Sequence, residues 1–162
     1  MPTDFPSFDL SGKVALVTGA ARGLGRAISL ALANAGADVA LGFRDVNAPA
    51  GLPSEITALG RRALPLQMDV NRLDQIFKAV DDTVLHFGRL DILVNNAGVA
   101  PDNLAEKVRE QDFDLTLAVN LKGTFFASQA AGRVMIRQTS GRIINIVHRP
   151  DSLPCPRSRS TR

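Results

Sequence analysis

The segment Thr18-Gly-Ala-Ala-Arg-Gly-Leu-Gly25 places three glycines within eight residues, directly after a short apolar run and directly before an amphipathic one. Glycines 19, 23 and 25 remove side chains where a turn must be tight and where a charged ligand must approach the backbone. A helix starting there offers unpaired N–H groups and the positive end of its dipole, which suits a diphosphate. Glycines also merely end strands, so the loop alone is weak evidence; its place between strand and helix makes dinucleotide binding the better reading. A second run, Asn95-Asn-Ala-Gly98, follows another apolar segment and by itself reads equally well as a plain turn. Other chemistry finds little support. The single cysteine, Cys155, has no partner for a disulfide, and the two histidines show no metal-ligand spacing. His86, beside Phe87-Gly88, reads as the end of a helix rather than as a base.

The elements that must position these residues alternate. Lys13 to Thr18 is an apolar, β-branched run of the kind buried in a parallel sheet. Leu24, Ile28, Ala31 and Leu32 recur at helical spacing until Asn34-Ala-Gly36 stops them. Asp38 to Phe43 is a second strand, and Arg62 to Met68 a third that Pro65 moves toward a sheet edge. Between them Ser54 to Leu59 is helical, with Ser54 as N-cap. Leu73, Ile76, Phe77, Val80 and Val84 form the buried stripe of a helix over 72–87, with Lys78, Asp81 and Asp82 facing water. Asp91 to Asn95 is a fourth strand, a long helix over 113–138 carries Phe113, Leu117, Leu121 and Phe125, and Gly141 to Val147 is a fifth strand. Such alternation implies right-handed crossovers and an α/β fold: a doubly wound parallel sheet of about five strands, ordered 3-2-1-4-5 between two helical layers.

The two glycine-containing motifs, taken together, resemble the short-chain dehydrogenase/reductase family. The resemblance extends through Asp69-Val70 and Val119-Asn120-Leu-Lys-Gly123 and covers Leu10 to Val147. It implies a Rossmann-like domain over residues 1–147 and hydride transfer between a nicotinamide dinucleotide and a small carbonyl or alcohol substrate. The implied cofactor contacts are Thr18, Gly19, Arg22, Gly23, Leu24 and Gly25 around the diphosphate, with Asp69 and Val70 beside the adenine. Asn95, Asn96, Ala97 and Gly98 would run under the nicotinamide ribose. Asn120 matches the asparagine of the family's catalytic tetrad. In the family the long helix packs against a sister subunit, so a homo-oligomer is implied as well.

Cofactor choice turns on the end of the second strand, where an acid holding both ribose hydroxyls favours NAD and positive charge suits a 2′-phosphate. Phe43 stands at the acid position, Arg44 follows it, and Arg22 lies in the glycine loop. Two guanidinium groups clamp a phosphate well. NADP(H) is therefore expected over NAD(H), which stays possible because Asp45 adjoins Arg44.

The family pattern then breaks. Its proton donor is a tyrosine assisted by a lysine, and the chain contains no tyrosine at all. The family serine two residues beyond an Asn-Ile pair would fall at His148, so Asn120 alone survives of the tetrad, and His148, entering a tail without fixed geometry, is no convincing substitute. Residues 148–162 hold three prolines, three serines and four arginines against one aspartate, and read as a disordered tail. The net charge of +3 lies in that tail and the body is neutral, so no nucleic-acid partner is expected. No apolar run approaches the ~18 residues of a membrane span and the stretch from Met1-Pro2-Thr3-Asp4 does not pair a basic region with an apolar one, so the expected setting is cytoplasmic without a membrane partner. Two readings follow: an oxidoreductase chain whose catalytic segment and last strands are missing, or a non-catalytic nucleotide-binding or dimerising module. A frameshift, altered splice or faulty gene model after codon 147 would produce the first. Another reading frame should then encode a serine-rich segment followed by Tyr-x-x-x-Lys, and its absence from both alternative frames would refute that origin.

Overall fold

A computed structural model describes residues 7–47, 51–101 and 104–147. Five strands form one parallel sheet, β1 (Val14–Thr18), β2 (Asp38–Phe43), β3 (Ala63–Gln67), β4 (Ile92–Asn95) and β5 (Arg142–Asn145), in the order β3-β2-β1-β4-β5. The helices are α1 (Gly23–Asn34), α2 (Leu52–Ala58), α3 (Leu73–Phe87), α4 (Glu110–Thr116) and α5 (Thr124–Gln138). Every residue of β1, β2 and β4 is buried, as continuous apolar strands covered on both faces must be. One core layer joins α3 and α5 to the sheet through residues such as Ile76, Val80, Leu93, Ala127 and Ala131. The other joins α1 and α2 through Val17, Ala33, Leu41, Phe43, Leu52 and Ile56. Doubly wound α/β architecture with this strand order is the fold expected from the alternation of elements. Pro65 sits on the edge strand β3, where a missing N–H is tolerated.

Several local expectations need correction. Ser54 does not cap α2; the helix begins two residues earlier at Leu52, with Gly51 as N-cap in the left-handed region, and Pro53 is accommodated in the first turn. The buried face of α1 is Gly25, Ser29 and Ala33, while Leu24 and Ala31 are exposed, so small residues bring this helix against the sheet. The long helix starts at Glu110 rather than Phe113 and is not continuous: residues Leu117–Gly123 widen into a π-helical stretch between α4 and α5. Phe113, Leu117, Leu121 and Phe125 lie outside the core, 55%, 42%, 65% and 59% exposed. The fifth strand is shorter than expected and every residue of it is exposed along the sheet edge. The tail 148–162, with His148 and Cys155, lies outside the described residues.

Carboxylates bolt the sheet at the end opposite the glycine loop. Asp91 accepts hydrogen bonds from the Val14 N–H (3.0 Å) and from Nε and Nη2 of Arg89 (2.7 and 2.6 Å), tying β4 to β1. Asp38 accepts from the Arg62 N–H (2.8 Å) and Nε (2.9 Å) and pairs with Arg61, tying β2 to β3. Burial pushes both carboxyls up, but these hydrogen bonds and the neighbouring positive charges outweigh it and hold both below the ordinary value. Their unfolded forms therefore bind protons at higher pH than the folded ones. The stabilisation is complete above the unfolded carboxyl pKa of about 3.9 and is lost as pH falls from there through the native values. We expect Asp91→Asn to lower the urea-unfolding free energy at pH 7 by about 2 kcal/mol and to flatten the loss on acidification. An acid loss as steep as that of the wild type would contradict the assignment.

Candidate functional site

All five strands are parallel, so their C-terminal ends share one rim of the sheet. From β1 the chain crosses to β2 and β3 on one side and returns to β4 on the other, which opens a crevice between the ends of β1 and β4. The residues singled out in the sequence converge on this rim. The glycine turn leaves β1 there. Gly19 has φ +65°, and a Cβ on it would lie 3.0 Å from the Cα of Ala97. A Cβ on Gly25 would strike the carbonyl of Gly19 and come within 2.5 Å of Asn96 Nδ2. These two positions must be glycine because two backbone segments touch.

The contact is stitched by hydrogen bonds. Thr18 is buried, and its Oγ1 accepts from the N–H groups of both Asn96 and Ala97 at 3.0 Å. Asn96 Nδ2 donates in the same direction, to the carbonyls of Thr18 (3.0 Å) and Gly19 (3.2 Å). The Asn95–Gly98 segment and the glycine loop are thus one hydrogen-bonded unit rather than two turns. Asn95 itself faces the other way, its Nδ2 donating to Ser128 Oγ and Asn145 Oδ1, both at 2.9 Å. Nothing in the spacing of Ser128 and Asn145 links α5 and β5 to the end of β4, so the sequence alone does not mark them as neighbours of Asn95.

Helix α1 begins beside this unit with an empty cap. Its N-cap residue, Arg22, is extended and makes no side-chain cap bond, and the first turn holds no acid. Gly23 and Leu24 are exposed, and a Cβ on Gly23 would meet nothing within 4 Å. The helix mouth therefore presents backbone N–H groups and positive dipole to open space, an anion seat in charge and shape.

Around it stand the remaining residues. Phe43 is wholly buried, so the end of β2 offers no acceptor there, while Arg44 and Arg22 are exposed and make no ion pair among the described residues. Val70 is buried beneath the π-helical stretch, whose Gly123 lies so near that a Cβ would reach 2.6 Å from the Val70 carbonyl. Asp69 turns inward on its own loop, its Oδ1 accepting from the Asn71 N–H at 2.9 Å and its N–H donating to Gln75 Oε1 at 2.8 Å. Asn120 sits within the π-helical stretch and grips the backbone of Val99: Oδ1 accepts from its N–H (2.9 Å) and Nδ2 donates to its carbonyl (2.8 Å). This docks the widened helix onto the chain just beyond Gly98. His86 lies exposed on the last turn of α3, ahead of the left-handed cap Gly88, remote from the rim in element order.

Comparison with known proteins agrees with this geometry. A family model described as short chain dehydrogenase matches residues 13–149. The 2-dehydro-3-deoxy-D-gluconate 5-dehydrogenase of Escherichia coli K12 is 45% identical over 141 residues, covering 86% of this chain and 55% of its own. Among solved structures, a short-chain type dehydrogenase/reductase from Mycobacterium marinum superposes with a TM-score of 0.83 at 37% identity, over 89% of this chain and 60% of its own. A metagenomic short-chain oxidoreductase solved in complex with NADP gives 0.81 at 38% identity, over 87% and 64%. The chain spans about half the length of the curated relatives it matches. With the strand order, the glycine turn at the sheet rim and the sequence match all in agreement, the chain belongs to the short-chain dehydrogenase family.

Proposed function

We propose that this chain binds a nicotinamide dinucleotide across the β1/β4 crevice and prefers NADP(H) to NAD(H). The open, uncapped mouth of α1 beside the stitched glycine turn carries this reading. The backbone at Gly19, Gly23, Leu24 and Gly25 would hold the diphosphate, with Thr18 keeping the turn in place. Arg22 and Arg44 would take the 2′-phosphate, because both are exposed and free of ion pairs among the described residues, and buried Phe43 leaves no acid to hold a free ribose hydroxyl pair. Asp69 and Val70 would line the adenine side, and Asn95 to Gly98 the nicotinamide side. The NADP complex of a relative with the same fold supports the choice. Bound there, the reduced coenzyme would supply the hydride that reduces a small carbonyl, and the oxidised coenzyme would accept the hydride that an alcohol gives up.

The chain's own residues offer binding but not proton transfer. Asn120 commits both ends of its amide to Val99, which suits it to brace the nicotinamide segment. A tyrosine to protonate an alkoxide would have to come from outside these 162 residues, which contain none. As it stands, the chain is a cofactor-binding part of an oxidoreductase rather than a complete catalyst. The exposed stripe of Phe113, Leu117, Leu121 and Phe125 favours a second role, packing against another copy of the chain. Light scattering should then report a dimer that Leu121→Glu dissociates, and a monomeric wild type would refute it. Among the described residues no helix is long and apolar enough to cross a membrane.

In a fluorescence titration NADPH should bind at least about tenfold more tightly than NADH, the worth of one well-placed charged contact; equal affinities would reject the preference. At about 100 times its dissociation constant NADPH should stabilise the fold by ~2.7 kcal/mol, seen as a rise in melting temperature of several degrees. Gly25→Ala should abolish that rise, and should lower the melting temperature of the free protein through overpacking worth about 1–3 kcal/mol. With a panel of carbonyl compounds the 162 residues should consume no NADPH above background, and reproducible oxidation by the purified chain would overturn the catalytic half of this reading.

A further inference from the structure

We propose that Gln67 is a positioning residue for coenzyme selection, fixing the loop that carries Arg44 so that its guanidinium is preset for the 2′-phosphate. The inference rests on the preceding reading of Arg44. Gln67 ends β3, in register with Phe43 at the end of β2. Both ends of its side-chain amide are spent on the backbone of the next loop: Nε2 donates to the Arg44 carbonyl (2.6 Å) and Oε1 accepts from the Val46 N–H (3.2 Å). The two bonds bracket Asp45.

Other contacts complete the fixation. The ring of Phe43 is wholly buried, and its carbonyl accepts from the Met68 N–H at 2.7 Å. Asp45 Oδ1 accepts from the Asn47 N–H at 2.9 Å, turning that oxygen into its own turn. Arg44 stays free of ion pairs among the described residues. Gln67 is exposed, so ordering it costs rotamer freedom without a packing return. What it does return is a stiff loop. A guanidinium held on a fixed backbone loses less freedom on meeting a phosphate than one on a mobile loop. NADH has no 2′-phosphate and gains nothing from this arrangement, so Gln67 should act on one coenzyme only.

The test is a double-mutant cycle on the full chain, with dissociation constants for NADPH and NADH measured in wild type, Gln67→Met, Arg44→Ala and the double variant. Methionine keeps the length of the side chain and removes both hydrogen bonds. Gln67→Met should weaken NADPH about fivefold, leave NADH within about twofold, and have no further effect once Arg44 is alanine. Equal weakening of both coenzymes, no weakening, or the same loss in the Arg44→Ala background overturns the role of Gln67. If Arg44→Ala erases the NADPH preference while Gln67→Met leaves it intact, only the role of Gln67 falls. If the wild type shows no preference, or Arg44→Ala leaves it unchanged, the reading of Arg44 falls and takes Gln67 with it. Gln67→Ala, measured beside a thermal melt of each variant, repeats the comparison should the methionine perturb the strand.

Discussion

Two pieces of backbone, the turn after β1 and the turn after β4, lie in direct contact, and the rest of the rim is arranged around that contact. No side chain fits between Gly19 and Ala97 or between Gly25 and the Gly19 carbonyl. Four hydrogen bonds then lock the two turns, all donated by Asn96 and Ala97 and all accepted by Thr18 and Gly19. The match matters because the donors of one turn meet the acceptors of the other, polar groups that would be costly to bury unpaired. A rigid floor results, and α1 starts from it with its N–H groups facing outward.

The same principle of close approach recurs elsewhere. Helix α1 meets the sheet through Gly25, Ser29 and Ala33, and α5 through Ala127, Ala130 and Ala131. At the rim the π-helical stretch comes down on Val70 at Gly123, and its Asn120 clasps Val99. Small residues lie where elements must touch. Several large ones from α4 to α5, including Phe113, Leu121 and Phe125, are turned outward, and among the described residues no strand pairs with the outer edge of β5. The interior is closed around β1, β2 and β4, while a run of exposed apolar residues lies along α4 and α5 and another on β5.

Much of this was legible in the residues. β1 and β4 announce themselves as short unbroken apolar runs, α3 as a stripe ending at Gly88, and the tight turn into α1 as glycines between strand and helix. Apolar periodicity failed where small residues do the packing. On α1 it picks out Ile28 and Leu32, which pack against the core, together with Leu24 and Ala31, which are exposed, and on the long helix it picks out the outward stripe, because counting large side chains cannot distinguish a sheet-facing surface from one turned away from the sheet. The π-helical widening left no trace in the spacing; it coincides with the grip of Asn120 on the backbone of Val99, a contact between residues 21 apart in sequence. The amide bridges of Gln67, and those from Asn95 to Ser128 and Asn145, were invisible for the same reason: long-range hydrogen bonds carry no local period. Ser54 misled because a capping residue type can stand anywhere in a first turn, whereas Gly51 was free to take the left-handed conformation that the chain required there.

The central claim is that backbone N–H groups at the mouth of α1, held by the stitched turns, receive the coenzyme diphosphate. Amide chemical-shift mapping of the isotopically labelled chain with millimolar NADPH tests it most directly. The account predicts the largest perturbations at Gly19, Gly23, Leu24 and Gly25, with smaller ones through Asn96 to Gly98. A folded sample in which these amides stay unmoved while others shift, or in which none moves, would contradict it.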